Sequence, residues 1–241
     1  MGDSDTSRLE TFSDGVIAIA ITLLVLDVHV PHARHGASFA RELGRQWPSY
    51  AGYVVSFLTV GIMWINHHRM FKLIGRVNHT FLMLNVVFLM TIAAVPFTTA
   101  LVAEHIRDSD TRTLAAVLYG GLMVAVAIMF NLVWRYAARG RRLLDPAADA
   151  TAIEQINRSY VLGPIAYGTA TLLALVNPWI SLALYASLAV FYMLPGTSPR
   201  SEELLAETAP PAGADAAGQP VQPGPPASQP PGSPVVPDET N

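Results

Sequence analysis

The chain has 241 residues, of which 51% are hydrophobic and 14% charged, and its mean hydropathy is +0.36. Soluble domains carry about 25% charged residues, and several apolar runs here approach the roughly 20 residues that cross a bilayer, so a soluble protein is excluded. The net charge of −3, without a clustered basic face, excludes a nucleic-acid partner, and the absence of cysteine excludes disulfides, thiolate catalysis and cysteine-ligated metals.

Apolar runs bounded by charge or proline predict an all-α, polytopic membrane protein with six transmembrane helices. The predicted spans are residues 12–30, 50–66, 80–102, 114–134, 160–176 and 179–194. Pro96 is expected to kink the third span, and Asn177 with Pro178 should form a tight turn between the last two. A short surface helix is expected within residues 35–47.

The distribution of Lys and Arg predicts the orientation in the membrane. An even number of spans places both termini on one side, and that side holds ten of the 15 basic residues, the other side five. Because Lys and Arg concentrate in cytoplasmic loops, both termini are predicted to be cytoplasmic. Residues 1–195 form the predicted membrane unit, and the Pro/Ala-rich, acidic residues 196–241 are predicted to be a disordered cytoplasmic tail.

The first span carries a narrow, mostly apolar stripe. Thr22 is the one polar side chain in its central part. At about 100° per residue, Gly15, Ile19, Thr22 and Leu26 fall within about 60° of one another, with Leu23 at the edge. If several copies faced one axis, this stripe would form apolar rings and one ring of hydroxyls.

Polar residues at the start of this span admit two interpretations. An ionised group at membrane depth costs about 2.5–3.5 kcal/mol, so Asp14 needs a partner. The candidates are basic side chains expected on the same side of the membrane: Arg8, His67, His68 and Arg69. The alternative is that Arg8, Ser13 and Asp14 only cap and anchor the helix, because Ser and Asp are favoured N-cap residues.

The string Arg8-x-x-x-Phe12-Ser13-Asp14, followed by an Ile/Ala-rich helix, resembles the transmembrane protein 175 family. These are lysosomal potassium channels of animals and their prokaryotic relatives. The resemblance covers about residues 8–195, one six-helix unit as in the prokaryotic members, which are homotetramers. It implies a potassium-permeable cation channel in the plasma membrane of a prokaryote, with helix 1 of four subunits lining a central pore.

The resemblance also implies residue roles in this sequence. Ile19 would be the hydrophobic constriction, Leu23 and Leu26 further apolar layers, and Thr22 the polar layer associated with selectivity. A separate hydrogen-bond network would hold neighbouring helices at the correct spacing, formed by Arg8, Phe12, Ser13, Asp14, Trp64 and His67. The pore would close by dewetting at the apolar ring. The expected protein is no enzyme and has no cofactor and no metal beyond the K⁺ in transit.

A proton-coupled secondary transporter, with Asp14 and His67 as a relay, is the alternative function. Carriers often contain internal repeats, and the two halves of this sequence show no such similarity. Three histidines at a spacing of three residues invite a metal site, but a proline interrupts the run and no carboxylate pair accompanies it, so none is expected: His29, His32 and His35.

Two further expectations concern buried polar and aromatic residues. Asn85 and Asn131, in the third and fourth spans, are predicted to form hydrogen bonds between helices. The four tryptophans fall near predicted helix ends, which is typical of an interfacial aromatic belt: Trp47, Trp64, Trp134 and Trp179.

Overall fold

A computed structural model describes residues 3–30 and 38–193 of the chain. These residues belong to a unit that comprises Met1–Arg200, separate from a second unit, Ser201–Asn241. They form α1 (Asp3–Leu23, continued by a 3-10 turn over Leu24–Asp27), α2 (Phe39–Arg45), α3 (Trp47–Phe71), α4 (His79–Ala93), α5 (Val95–His105), α6 (Arg112–Ala138), α7 (Ala150–Ala174) and α8 (Pro178–Met193). The predicted all-α class is confirmed. The predicted tail over residues 196–241 lies outside the described residues.

Four segments are long and apolar enough to cross a membrane: Asp5–Asp27, Trp47–Phe71, His79–His105 and Arg112–Arg141. Helix α8 is apolar, but its 16 residues extend only about 24 Å, less than the roughly 30 Å of a bilayer core. Helix α7 has 25 residues, and its first part contains charged side chains. The multi-pass architecture therefore has firm support, and the count of six spans stays a prediction.

Helix α1 begins nine residues before the predicted first span, which corrects the interpretation of its polar residues. Ser13 is buried, and its hydroxyl donates a hydrogen bond to the Leu9 carbonyl at 2.8 Å within the helix. Asp14 likewise lies well inside α1. The proposal that Ser13 and Asp14 cap the helix is therefore wrong, because the preceding residues, including the buried Leu9, already form helical turns.

Proline residues interrupt the helices where the sequence predicted. The third predicted span breaks at Ala94 into α4 and α5, and Pro96 lies in the first turn of α5. Proline has no N–H, and its ring clashes with the carbonyl four residues earlier, here that of Ile92. At the predicted hairpin, Pro178 begins α8 and the Asn177 side chain accepts a hydrogen bond from the Trp179 N–H at 2.9 Å.

Helix α6 packs against α4, α5, α7 and α8 at the centre of the bundle. The Asn131 amide donates to the Tyr160 carbonyl of α7 at 2.6 Å, which confirms the predicted interhelix bond. Trp134 is fully buried, and its indole donates to the Asn157 side chain at 2.7 Å. The interfacial position expected for Trp134 is therefore wrong: α7 begins at Ala150, ten residues before the predicted span, and brings Asn157 against it.

Two turns at one end of the bundle are joined through their backbones. The N–H groups of Gly75 and Arg76 donate to the Leu143 carbonyl at 3.0 and 3.2 Å, and the Asp145 N–H donates to the Leu73 carbonyl at 2.9 Å. A side chain at Gly75 would place its Cβ 3.0 Å from the Asp145 Cα, so glycine permits this close approach. The contact fixes the carboxyl end of α3, which carries several residues of the candidate site.

Candidate pore-lining helix and its buried network

Helix α1 has one face in the protein core and an opposite face without a partner in the described chain. Its buried residues recur every three to four positions and contact α3, α4 or α5: Thr6, Leu9, Ser13, Ile17, Ala20 and Leu24. On the other face, the exposed fractions of Ile19 and Leu26 are 60% and 66%. Membrane helices expose apolar side chains to lipid, so the apolar character of this face does not by itself show whether the face contacts lipid or lines a pore.

Polar and small residues on the exposed face distinguish it from an ordinary lipid-facing surface. Arg8, Gly15 and Thr22 are all exposed there. A Cβ added at Gly15 would meet no atom within 4 Å, so nothing in the described part of the chain requires this glycine. Charged, small and hydroxyl residues in membrane helices concentrate at interfaces between helices or along water-filled cavities. This face therefore suits contact with other copies of α1 or with an aqueous path.

All four predicted pore-lining residues lie on the exposed face. Ile19, Thr22 and Leu23 belong to α1, and Leu26 to the 3-10 turn that ends it. Side chains three residues apart eclipse in a 3-10 helix, so Leu26 follows directly beyond Leu23 along the axis. The Thr22 hydroxyl donates to the Ile19 carbonyl at 2.9 Å, which leaves its oxygen lone pairs free to accept from the exposed side.

A buried chain of hydrogen bonds links α1 to α4 and α3. The Asn85 amide donates to the Ser13 hydroxyl at 2.8 Å, and the Asn85 carbonyl oxygen lies 3.2 Å from His67 Nε2. Ser13, Asn85 and His67 are all fully buried. Since Asn85 Oδ1 only accepts, the contact places a proton on His67 Nε2. Sequence reasoning predicted an interhelix bond for Asn85 without identifying it as the connection between Ser13 and His67.

The other nitrogen of His67, Nδ1, has no hydrogen-bond partner within the described part of the chain. The imidazole is stacked between two aromatic rings, with centroids 4.4 Å from Phe71 and 5.7 Å from Phe88. Asn85 is therefore the one described polar group that satisfies this ring. The arrangement fixes the position of α3 relative to α4 and, through Ser13, relative to α1.

A second set of contacts joins α1 to the end of α3. The Trp64 indole donates to the Asp14 carboxylate at 2.9 Å, and His68 Nδ1 lies 2.8 Å from the Glu10 carboxylate. The rings of Trp64 and His68 stack with centroids 6.0 Å apart. Within the described residues of one chain, Asp14 bonds to Trp64 and to none of the basic side chains expected from sequence. Glu10 was missed, although it precedes Asp14 by four residues and so shares its side of the helix.

Two residues of the predicted network do not join it within one chain. Arg8 and Phe12 are exposed on the same face as Ile19. Across residues 3–30 and 38–193, Arg8 has no hydrogen bond or ion pair. The structure therefore brings together Ser13, Asp14, Trp64 and His67 and leaves Arg8 and Phe12 facing outward.

No metal site is found in the described residues, where no three His, Asp or Glu side chains come close enough to hold an ion. Of the three histidines considered from sequence, His32 and His35 lie outside that part of the chain.

Comparison with known proteins finds several relatives, and those described below are all named as channels. Residues 8–96 match the family described as endosomal/lysosomal potassium channel TMEM175. The chain is 44% identical over 189 residues to a potassium channel from Streptomyces collinus, covering 78% of this chain and 92% of the relative. It is 41% identical over 193 residues to a potassium channel from Chamaesiphon minutus, covering 79% and 95%. The human endosomal/lysosomal proton channel TMEM175 is 28% identical over 166 residues, or 68% of this chain and 32% of the relative.

A solved structure agrees with these sequence matches. The crystal structure of a lysosomal potassium-selective channel TMEM175 homolog from Chamaesiphon minutus superposes with a TM-score of 0.73 at 38% identity. The match covers 79% of this chain and 97% of that one. Sequence and fold thus agree over the whole described bundle, and the chain belongs to the endosomal/lysosomal potassium channel TMEM175 family.

Proposed function

We propose that this chain conducts K⁺ passively through a pore that four copies form around their α1 helices. The observation that carries the proposal is the two-faced α1, whose buried side is fixed to the core and whose other side presents Ile19, Thr22 and Leu26 outward. The names of the bacterial relatives support K⁺ as the permeant ion. Their sources also support the plasma membrane of a prokaryote, and the loop charges favour cytoplasmic termini.

The proposed restriction is a ring of Ile19 side chains. An apolar ring of small diameter excludes water, so it blocks hydrated ions until the helices move apart. Thr22 lies one turn farther along α1, about 4.5 Å at 1.5 Å per residue. Its hydroxyl is tied to the helix backbone as a donor, so its oxygen is oriented to accept, and four such oxygens would replace part of a cation's hydration shell.

The network around Ser13 and Asp14 has a structural role in this proposal. Because α1 is attached to α3 and α4 through Asn85, His67 and Trp64, its exposed face is held in one orientation. Arg8 lies on that face about 16 Å from Ile19, towards the start of α1, at a rise of 1.5 Å per residue. At that depth it is placed to contact a neighbouring copy rather than the ion at its narrowest passage.

The alternative, a carrier that uses Asp14 and His67 as a proton relay, has less support. Asp14 is bonded to Trp64, and His67 is bonded to Asn85; among the described residues no hydrogen bond joins the two groups. Proton permeation through the same pore is a second candidate, since the human relative is named as a proton channel. One flux measurement distinguishes both alternatives from a passive K⁺ channel.

The test is ion flux into liposomes that contain the purified full-length chain. We expect K⁺ to move down its gradient at equal pH on both sides, without a coupling ion. Saturable flux that requires a counter-gradient of protons would overturn the channel proposal. A current carried by protons alone, unchanged by removal of K⁺, would instead support the proton channel.

The Ile19→Ala variant tests the restriction. We expect a several-fold increase in K⁺ flux or a loss of discrimination against Na⁺, because the apolar ring becomes wider. Ile165→Ala is the matched control, since Ile165 has the same residue type and an exposed fraction of 61%, compared with 60% for Ile19, but lies on α7. Equal flux for the wild type and both variants would show that α1 does not form the restriction.

A further inference from the structure

A cavity of about 330 Å³ lies between α3, α5, α6 and α8, and no residue of α1 lines it. Its volume is within the roughly 300–1,000 Å³ of small-molecule sites. The mouth is at one end of the bundle, because Trp47 is the first residue of α3, Ile106 directly follows α5 and Trp179 is the second residue of α8. Ser56 lines the cavity nine residues farther along α3, about 14 Å deeper.

The inside of the cavity offers an apolar path. Val55, Val102, Leu182 and several alanines line its walls. The few polar groups at depth satisfy one another: the Ser56 hydroxyl lies 2.8 Å from that of Thr99. A guest that enters here therefore finds apolar walls and no unsatisfied hydrogen-bond donor at the bottom. The lining fits a hydrocarbon chain better than a polar molecule.

The mouth has the opposite character. Trp47 and Trp179 stack there with ring centroids 6.3 Å apart, and both are more than 40% exposed. The guanidinium of Arg112, the first residue of α6, lies 5.4 Å from the Trp179 ring centroid. One of its nitrogens donates to the Ile106 carbonyl at 3.5 Å. Arg112 is thus in contact with two residues that line the mouth.

Arg112 forms no ion pair within the described residues, although the Asp108 carboxylate interacts with its charge from a greater distance. No carboxylate there lies within 4.0 Å of its guanidinium, and its Nε has no hydrogen-bond acceptor. Asp108, in the loop before α6, instead accepts from the Thr111 hydroxyl and the Asp110 N–H. A guanidinium has five N–H donors; on Arg112, Nη1 contacts the Ile106 carbonyl and Nε is buried, whereas Nη2 makes no hydrogen bond within the described residues.

We infer that this cavity binds an anionic phospholipid, with one acyl chain between the four helices and the phosphate on Arg112. Three observations agree: an apolar slot that opens at one end of the bundle, a tryptophan pair at the mouth, and a cation without an ion pair beside it. Tryptophan is favoured at the level of lipid headgroups, and a guanidinium forms strong, charge-assisted hydrogen bonds with phosphate. The inference is independent of the ion that the pore conducts.

The experiment uses the full-length chain in nanodiscs of phosphatidylcholine, titrated with phosphatidylglycerol that carries brominated acyl chains. Bromine quenches nearby tryptophan, so Trp47 and Trp179 report on a chain in the cavity. Brominated phosphatidylcholine gives the comparison with a lipid of zero net charge. We expect the wild type to show saturable quenching at about tenfold lower phosphatidylglycerol than phosphatidylcholine, since charge-assisted hydrogen bonds contribute about that factor.

Three variants test the two halves of the site. Arg112→Gln should remove the preference for phosphatidylglycerol, and Arg112→Lys should keep most of it. Val55→Phe should fill the cavity and abolish saturable quenching by either lipid. Arg107→Gln is the matched control, because Arg107 carries the same charge in the loop before α6 but its guanidinium donates to the Arg45 carbonyl, and the variant should behave like the wild type. Elution of each variant at the wild-type volume verifies its fold.

Several results would overturn the inference. Equal quenching by both lipids in the wild type would exclude a site selective for anions. An unchanged preference in Arg112→Gln, or an equal loss in Arg107→Gln, would show only general attraction to a basic surface. Saturable quenching that survives in Val55→Phe would exclude a chain in the cavity. Displacement of the lipid by inorganic phosphate alone would identify Arg112 as a free-anion site rather than a lipid site.

Discussion

Replacing Asn85 with leucine is expected to destabilise the helix bundle by roughly 2–3 kcal/mol. The substitution removes the bonds of 2.8 Å to Ser13 and 3.2 Å to His67. Ser13 still donates to the Leu9 carbonyl, so losing the bond from Asn85 to Ser13 contributes the smaller part of the cost. This part is about 0.6 kcal/mol, the average for an interhelix hydrogen bond in a membrane. His67 is left with no partner on either nitrogen, and a buried unsatisfied group costs about 1–3 kcal/mol.

The assay is thermal or denaturant unfolding of the purified protein in detergent. Unfolding is monitored by the fraction of the protein that still elutes in its assembled form. Asn66→Leu is the control, because the Asn66 side chain makes no hydrogen bond within the described residues, so the same change there leaves no buried group unpaired. We expect it to cost less than about 1 kcal/mol. Adding His67→Phe to Asn85→Leu should recover part of the stability, since the unsatisfied ring is gone and a phenyl ring fits between Phe71 and Phe88.

The reasoning would be refuted if Asn85→Leu were no more destabilising than Asn66→Leu. It would also be refuted if His67→Phe added its own cost instead of recovering stability, because the penalty would then not come from the unpaired imidazole.

Two further predictions concern packing and the pore. Gly120→Ala should destabilise the protein by about 1–3 kcal/mol through overpacking, because the added Cβ would lie 2.6 Å from Thr171 Oγ1. Gly121→Ala should be nearly neutral, because its added Cβ would meet no atom within 4 Å. Equal unfolding midpoints for the two variants would contradict this packing. Thr22→Val should lower K⁺ conductance several-fold in the liposome assay, because it would remove the proposed ring of hydroxyls. Thr169→Val removes a similarly exposed and backbone-bonded hydroxyl on α7 and should leave conductance unchanged. Equal effects of the two changes would exclude a special role for Thr22.

The fold was predictable where apolar runs and prolines determine it. The break near Pro96 and the hairpin at Pro178 follow from local chemistry that tertiary contacts do not override. The starts of α1 and α7 were not predictable from hydropathy, because an apolar run marks only the part within the membrane. Both helices continue as polar turns, and only their packing shows that these turns are helical.

In the candidate site, too, a pattern within one helix was predictable and a contact between helices was not. The exposed stripe of α1 follows from helical periodicity, and the structure places Ile19 and Thr22 on one uncovered face. The partner of Asp14 could not be derived in this way. Trp64 is 50 residues away, and several basic groups on the same side of the membrane seemed equally suitable. Such a choice depends on the rotation of α3 against α1, which the sequence pattern of either helix alone does not specify.

The two faces of α1 have a consequence for mixed populations of subunits. A substitution on the buried face affects the stability of the chain that carries it, so a defective copy is lost and normal copies remain. A substitution at Ile19 leaves that chain folded and able to assemble, and under the proposed arrangement one altered copy then changes a pore that it shares with three normal copies. Loss of function at Ser13 should therefore be recessive on co-expression with the wild type, whereas altered permeation at Ile19 should be dominant.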